Sequence, residues 1–195
     1  QRKNNKKLTI VAAGHSASVV LTLKDKYINT IKQVVLIAPT WRGPLPSMTG
    51  WSPKRLNIIN EIVRLPIIGP MLYFINTTKV IIRFMMKRHV WLNKNDLDND
   101  KILRLQVLSR QKGARYASAA FVTGSLDIDK NKKWWISNTK KIQEMSTLVI
   151  PKDSPKKSLS EMEVLSDSIK DVLYLRGRLG CHEEFGEEIA KRLFY

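Results

Sequence analysis

The sequence predicts an α/β protein with a mostly parallel sheet and flanking helices. Short apolar runs without alternation recur along the 195-residue chain, as expected of strands buried on both faces. The first two runs, Leu8–Ala13 and Gln33–Ala38, are separated by a segment of helical character, Ser16–Lys24. Strand, helix and strand with short connections form a βαβ unit, in which the two strands run parallel. Two later runs, Thr147–Ile150 and Asp171–Leu175, predict the third and fourth strands.

A helical segment interrupts the strands in the middle of the chain. Apolar residues recur at helical spacing in Leu56–Leu65 and in Leu72–Trp91. A further helix is predicted over Asp96–Leu108, because acidic residues lie at its N-terminal end. We therefore predict a core formed by residues 1–43 and 117–195, with a helical cap formed by residues 44–116.

Helices are also predicted on either side of the later strands. Their ranges are Lys132–Met145, Leu159–Ile169 and Glu183–Leu193. With the first helix, they provide the layers that a parallel sheet needs on its faces.

The cysteine count limits the classes of site. Cys181 is the one cysteine of the chain, which excludes an internal disulfide framework and a multi-cysteine metal site. No cluster of histidine and carboxylate has the spacing of metal ligands, so we predict neither a metal nor a cofactor. A single cysteine agrees with a reducing compartment, such as the cytoplasm or a plastid.

The chain is strongly basic, with a formal net charge of +17 and a pI near 10.1. Such a charge attracts anionic surfaces, which makes an anionic membrane surface a candidate partner. Nucleic acid is disfavoured, because the basic residues are scattered and no recognition motif or regular aromatic–basic interleaving is present.

A small-residue turn follows the first predicted strand. The sequence Gly14-His15-Ser16-Ala17-Ser18 has the form G-x-S-x-S, which is one position away from the G-x-S-x-G of a nucleophile elbow. Small residues at such a turn let a strand turn sharply into a helix. The turn then exposes the serine hydroxyl at the edge of the sheet.

A histidine follows the last predicted strand. His182 lies in the loop after Asp171–Leu175, and the carboxyl edge of a parallel sheet is where sheet-borne active sites form. A serine hydroxyl needs a base to accept its proton and an acid to orient that base. Ser16 and His182 occur in the chain order serine, acid, histidine.

Together these segments resemble the α/β-hydrolase superfamily, in particular its capped esterase- or lipase-like members from plants, algae and cyanobacteria. The resemblance covers nearly the whole chain. It is carried by the elbow, by Val34–Trp41, by Leu65–Tyr73 of the cap, by Thr147–Ile150 and by Leu179–Glu184.

The resemblance implies a serine hydrolase that cleaves ester bonds through an acyl-enzyme. Ser16 would be the nucleophile, His182 the general base, and the backbone N–H of Ala17 one donor of the oxyanion hole. The acid would be Asp153, which follows the third strand, with Asp127 as the alternative, or neither residue.

Apolar side chains of the cap and core could line a pocket for an acyl or lipid-like substrate. The candidates are His15, Trp41, Trp51 and Phe74. The loop that supplies the second oxyanion donor in the family is absent, so we expect the chain to be the C-terminal portion of a larger protein. Two alternative functions stay open: a non-catalytic hydrolase-like binding module and a basic membrane-surface protein.

Overall fold

The computed structural model describes residues 7–23, 25–128 and 131–195. Lys24, with which the first predicted helix ends, lies outside the described residues. The strands are β1 (Leu8–Ala13), β2 (Ile31–Ile37), β3 (Ser146–Pro151) and β4 (Asp171–Leu175). The α-helices are α1 (Ser16–Val20), α2 (Asp25–Ile28), α3 (Pro44–Thr49), α4 (Pro53–Arg64), α5 (Ile68–Asn76), α6 (Lys79–Met85), α7 (Asn99–Ser109), α8 (Ala114–Val122), α9 (Lys132–Lys141), α10 (Lys156–Ser166), α11 (Cys181–Glu184) and α12 (Gly186–Phe194).

The four strands form one parallel sheet in the order β1-β2-β3-β4. The predicted α/β class and the predicted positions of the strands are confirmed. Because all strands run the same way, their carboxyl ends lie at one edge. The segments that follow β1, β3 and β4 therefore emerge from the same edge of the sheet.

The strands differ in burial according to their place in the sheet. Every residue of β3 is buried, and so is most of β2, because each has a neighbour on both sides. The sequence predicts that β1 is buried too, and this is wrong for part of the strand. Leu8 is 61% exposed and Val11 54% exposed, since within the described residues β1 pairs with β2 alone.

The chain divides into two compact units. The first contains the described residues up to Trp41 and from Ile128 onward, and the second is Arg42–Asp127. The predicted cap, residues 44–116, ends earlier than the second unit does. The unit extends to Asp127 because α8 packs with α4 inside it.

The segment Leu72–Trp91, predicted from its helical spacing, is helical but not continuous, because the chain breaks at Thr77. The Thr77 hydroxyl donates to the backbone carbonyl of Tyr73 at 2.9 Å, and Thr78 is extended, with φ −70° and ψ 148°. Threonine side chains that bond to nearby backbone favour helix ends over helix interiors. The segment consequently forms α5, then α6, then a π-helical turn over Met86–Val90.

Three other predicted helices are shorter than expected, and the first of them, predicted over Ser16–Lys24, already ends at Val20. The helix predicted over Lys132–Met145 ends at Lys141, and a 3₁₀ turn follows over Gln143–Met145. The helix predicted over Glu183–Leu193 divides at Phe185, where φ −125° and ψ 26° interrupt helical geometry.

No single helix in the described ranges could cross a membrane by its length and composition. Helices α4 and α5 pass the same test together, and they are bent by 101° at the break between them.

Candidate functional site

The turn after β1 carries Ser16 at the carboxyl edge of the sheet. Gly14 has φ +58°, a conformation that glycine adopts without strain, and it makes the sharp turn. Ser16 is the first residue of α1 and is exposed. Its hydroxyl donates to the backbone carbonyl of Ala13 at 2.7 Å. The left-handed residue of this turn is therefore Gly14, and the serine itself has ordinary backbone geometry.

Ser18, which departs from the glycine of the elbow pattern, connects the turn to the loop after β2. Its side chain is 1% exposed, and its hydroxyl donates to the backbone carbonyl of Thr40 at 3.1 Å. The N–H of Thr40 donates in return to the carbonyl of Gly14, also at 3.1 Å. These two hydrogen bonds hold the turn against the neighbouring loop.

The amide of Ala17, the predicted oxyanion donor, points back into the turn. It donates to the carbonyl of Gly14 at 3.3 Å, which is long for a backbone hydrogen bond. Ala17 is completely buried, and His15 beside the serine is half-buried. Because this hydrogen bond is weak, the Ala17 N–H can readily donate to a better acceptor instead.

Asp153 follows β3 and joins the end of that strand to the loop after β4. Its Oδ2 accepts the N–H of Gly177 at 2.9 Å, and its own N–H donates to the carbonyl of Gly177, also at 2.9 Å. Within the described residues, no group donates a hydrogen bond to its Oδ1. One carboxylate oxygen is thus anchored, while the other remains available.

Gly177 is required at this junction. It has φ +146°, and a Cβ added there would lie 3.0 Å from Cys181 Cβ and 3.2 Å from the ring of Phe185. Only glycine combines this conformation with such a close approach. The residue therefore sets the path of the chain from β4 into α11.

His182 lies in α11 and is exposed. Its imidazole has no hydrogen bond or ion pair with any residue that the structure describes. In particular, none joins it to Ser16 or to Asp153. Ser16 follows β1 and His182 follows β4, three strand spacings across the sheet, or roughly 14 Å.

Cys181, next to His182, is completely buried. The pKa of the thiol is raised to about 12, chiefly by burial; backbone hydrogen bonds at Cys181 and His182 oppose the rise, and the nearby Glu184 carboxylate adds to it. The thiol is therefore protonated at neutral pH and is not a nucleophile.

Asp127, the alternative acid, lies in the second unit. Its Oδ1 accepts the N–H of Gly43 at 3.0 Å, and a Cβ on Gly124 would lie 2.5 Å from its Oδ2. Asp127 thus connects the beginning of the second unit to its end.

The four predicted pocket residues divide between the units. Trp41 packs in the core of the first unit, with its ring centroid 6.3 Å from that of Trp135. Trp51 and Phe74 belong to the second unit and are 46% and 58% exposed. Phe74 lines a cavity of about 560 Å³ between α5 and the α7–α8 connection.

Sequence reasoning missed Thr40 and Gly177. Gly177 carries a signal in the sequence, since it is a glycine two residues beyond the end of a strand. Thr40 carries none, because a threonine in a loop does not reveal that its main chain binds a turn on the neighbouring strand.

Among the residues that the structure describes, no three His, Cys, Asp or Glu side chains are grouped so as to hold a metal ion.

Comparison with solved structures finds the same fold in several hydrolases. A hydrolase from Oleispira antarctica matches with a TM-score of 0.59 and 11% identity over 96% of this chain. An esterase from Thermogutta terrifontis matches with a TM-score of 0.58 and 14% identity over 96%. An alpha/beta hydrolase from a Medee basin deep-sea metagenome library matches with a TM-score of 0.60 and 12% identity over 97%.

The chain spans 64%, 63% and 64%, respectively, of the lengths of those three proteins. No protein-family model and no curated protein sequence matches the chain. At these identities the likeness establishes the fold alone.

Proposed function

We propose that this chain, which has the fold of the α/β-hydrolase superfamily, is a serine hydrolase. Its substrate in this proposal is an apolar, acyl or lipid-like ester. Ser16 is the proposed nucleophile, His182 the base and Asp153 the acid, and Ala17 supplies one oxyanion donor. The fold itself supports many chemistries, so the proposal depends on the site.

The observation that carries the proposal is the state of the Asp153 carboxylate at the shared edge of the sheet. Gly177 holds Oδ2 at 2.9 Å, and Oδ1 faces no donor among the described residues. A carboxylate that orients an imidazole needs this arrangement: one oxygen fixes the side chain, and the other accepts the ring N–H. The segment Arg176–Cys181, which leads to His182, is bonded to Asp153 through Gly177.

The catalytic step requires two rearrangements. The Ser16 hydroxyl leaves the carbonyl of Ala13 and turns toward the imidazole of His182, which moves inward from its exposed position. Ser16 Oγ then attacks the ester carbonyl carbon while His182 accepts the hydroxyl proton. As the carbonyl oxygen becomes negative, the Ala17 N–H exchanges its long bond to Gly14 for a stronger one to the oxyanion.

The remaining steps return the enzyme to its starting state. The protonated His182 gives its proton to the departing alcohol, and the acyl group stays on Ser16 Oγ. Water, deprotonated by His182, then attacks the acyl carbon, and the released Ser16 oxygen recovers the proton.

The first prediction concerns covalent labelling of Ser16. An alkyl fluorophosphonate should modify Ser16, as measured by mass spectrometry of the digested protein. The same treatment should abolish hydrolysis of p-nitrophenyl octanoate. The Ser16→Ala and His182→Gln variants should remain unlabelled, because the first lacks the nucleophile and the second lacks its base. We expect each variant to lose at least about 10³-fold in kcat.

Ser160→Ala is the matched control. Ser160 is also exposed, and its hydroxyl also donates to the carbonyl three residues earlier, that of Lys157, at 2.9 Å. Labelling and turnover of this variant should equal those of the wild type. Absence of label on Ser16 under conditions that label another esterase would contradict the proposal, as would undiminished labelling of His182→Gln.

A non-catalytic hydrolase-like binding module is the second candidate. It is favoured by the internal hydrogen bonds of the Ser16 hydroxyl and the Ala17 amide, and by the fact that no hydrogen bond or ion pair joins the described His182 side chain to Ser16 or Asp153. This function predicts that the wild type and Ser16→Ala bind octanoate with equal affinity, without turnover of any ester.

A further inference from the structure

The second unit contains a cavity of about 560 Å³ that combines aromatic walls with cations. Helix α5 supplies Tyr73 and Phe74, the end of α7 supplies Arg110, and the connection into α8 supplies Lys112, Arg115 and Tyr116. The volume lies within the range of pockets that hold small organic ligands. None of the residues that line the cavity is acidic.

The three cations of this cavity have no carboxylate partner. No ion pair joins Arg110, Lys112 or Arg115 to a residue within the described ranges. Like charges around one cavity repel each other, although water screens part of this repulsion, since Arg110 and Lys112 are exposed and Arg115 is half-buried. An anion that enters the cavity relieves the repulsion and gains charge-assisted hydrogen bonds.

The two guanidinium groups are already oriented by aromatic rings. The Arg110 guanidinium carbon lies 4.2 Å from the centroid of the Phe74 ring, and an Arg110 Nη donates to the carbonyl of Thr77 at 3.5 Å. The Arg115 guanidinium carbon lies 4.5 Å from the centroid of the Tyr116 ring. Because these long side chains are already ordered, less side-chain conformational entropy is lost when a ligand binds.

The aromatic rings also leave apolar surface for a ligand. Phe74 is 58% exposed and Tyr116 is 43% exposed, although both are large and apolar. The hydroxyl groups of Tyr73 and Ser118 bond to each other at 3.0 Å, which fixes the Tyr73 ring in the wall. Exposed rings beside unpaired cations favour a ligand that is anionic at one end and apolar at the other.

We propose that this cavity is a binding site for an amphiphilic anion, a phosphate or carboxylate group attached to an apolar body. Arg110, Arg115 and Lys112 bind the anionic group, and Phe74 and Tyr116 cover the apolar body. The anion is either a free amphiphile or the headgroup of a lipid in a membrane. The site lies entirely within the second unit and needs none of the residues of the proposed triad.

Octyl phosphate below its micellar concentration tests the site by calorimetric titration of the full chain. It should bind at least about tenfold more tightly than inorganic phosphate, which lacks the apolar body, or octyl glucoside, which lacks the charge. Arg110→Gln and Arg115→Gln should each raise its Kd about tenfold, since each removes a charge-assisted contact. Phe74→Ala should weaken the binding of octyl phosphate and leave the binding of inorganic phosphate unchanged.

Arg104→Gln is the matched control, because Arg104 is an exposed cation of α7 outside the cavity. Its Kd should stay within about twofold of the wild type. Equal weakening by Arg104→Gln, or equal binding of octyl glucoside and octyl phosphate, would overturn the proposal. Far-UV circular dichroism of each variant separates lost binding from lost folding.

Vesicles of phosphatidic acid in phosphatidylcholine distinguish the two sources of the anion. If Arg110→Gln and Arg115→Gln reduce vesicle binding more than Arg104→Gln does, the ligand is a lipid headgroup. If the three variants bind vesicles equally while octyl phosphate responds as above, the ligand is a free amphiphile.

Discussion

Ser18 stands at the position that glycine holds in the elbow pattern, and its buried side chain forms a hydrogen bond that glycine could not form. In the G-x-S-x-G pattern the last small residue allows strand and helix to approach closely. Here the hydroxyl of Ser18 uses that close approach to bind the carbonyl of Thr40. Ser18 is nearly completely buried. If its hydroxyl were removed, the carbonyl of Thr40 would therefore lose this hydrogen bond, and water would not replace it.

Replacement of Ser18 should destabilise the first unit. Ser18→Ala removes the hydrogen bond, and we expect the free energy of unfolding to fall by about 1 to 2 kcal/mol in urea titrations. Thr22→Ala is the control, because the Thr22 hydroxyl makes an exposed local bond to Val19, and it should change stability by less than about 0.5 kcal/mol. Equal stabilities of the two variants would contradict the buried role of Ser18.

Because Cys181 is buried, we predict that the free energy of unfolding falls at alkaline pH. In the unfolded chain the thiol ionises with its ordinary pKa of 9.0, whereas burial raises the pKa in the folded state to about 12. The contribution of Cys181 is therefore complete below pH 9 and is lost as the pH rises toward 12. Thermal unfolding followed from about pH 8 to about pH 11 should show a steeper decline for the wild type than for Cys181→Ala.

At the scale of elements, the connection from β4 to α11 is the least adaptable part of the candidate site. Asp153 bonds to both backbone groups of Gly177, and the side chains of Cys181 and Phe185 lie directly over that glycine. The position of His182 thus depends on a residue that takes no part in any chemical step.

Gly177→Ala should disrupt this connection. The added methyl group meets Cys181 Cβ at 3.0 Å in a backbone conformation that alanine rarely adopts, so we expect a loss of about 2 to 4 kcal/mol in unfolding free energy. Gly186→Ala is the control, because nothing lies within 4 Å of a Cβ there and alanine favours the helix that begins at Gly186. Chemical denaturation of both variants measures the difference, and similar stabilities would refute the strained role of Gly177.

The sequence predicted elements where local pattern decides them, and failed where distant groups do. β3 was predictable because a short apolar run between polar segments has few alternatives to a buried strand. The break at Thr77 was not, since the same apolar spacing continues on both sides of it. The Asp153–Gly177 bonds join two loops that no local pattern connects.

For the whole molecule, the sequence established that the chain is basic but not where its charge is unpaired. A net charge of +17 suits any anionic surface. The structure distinguishes paired from unpaired cations. Lys191 and Arg192 pair with Glu187 and Glu188 along α12, whereas the cations around the Phe74 cavity form no ion pair with any described residue. Only three-dimensional neighbours reveal that difference.

The second unit lies in sequence between β2 and β3, although those strands are adjacent in the sheet. On the ribosome, the hydrogen-bonding edge of β2 must therefore stay unpaired until all of Arg42–Asp127 has been synthesised. Non-local strand pairing of this kind is slow, because a long loop must close before any contact forms. The nascent chain thus carries an open apolar strand edge while the whole second unit is being synthesised, and unpaired edges of this kind favour aggregation.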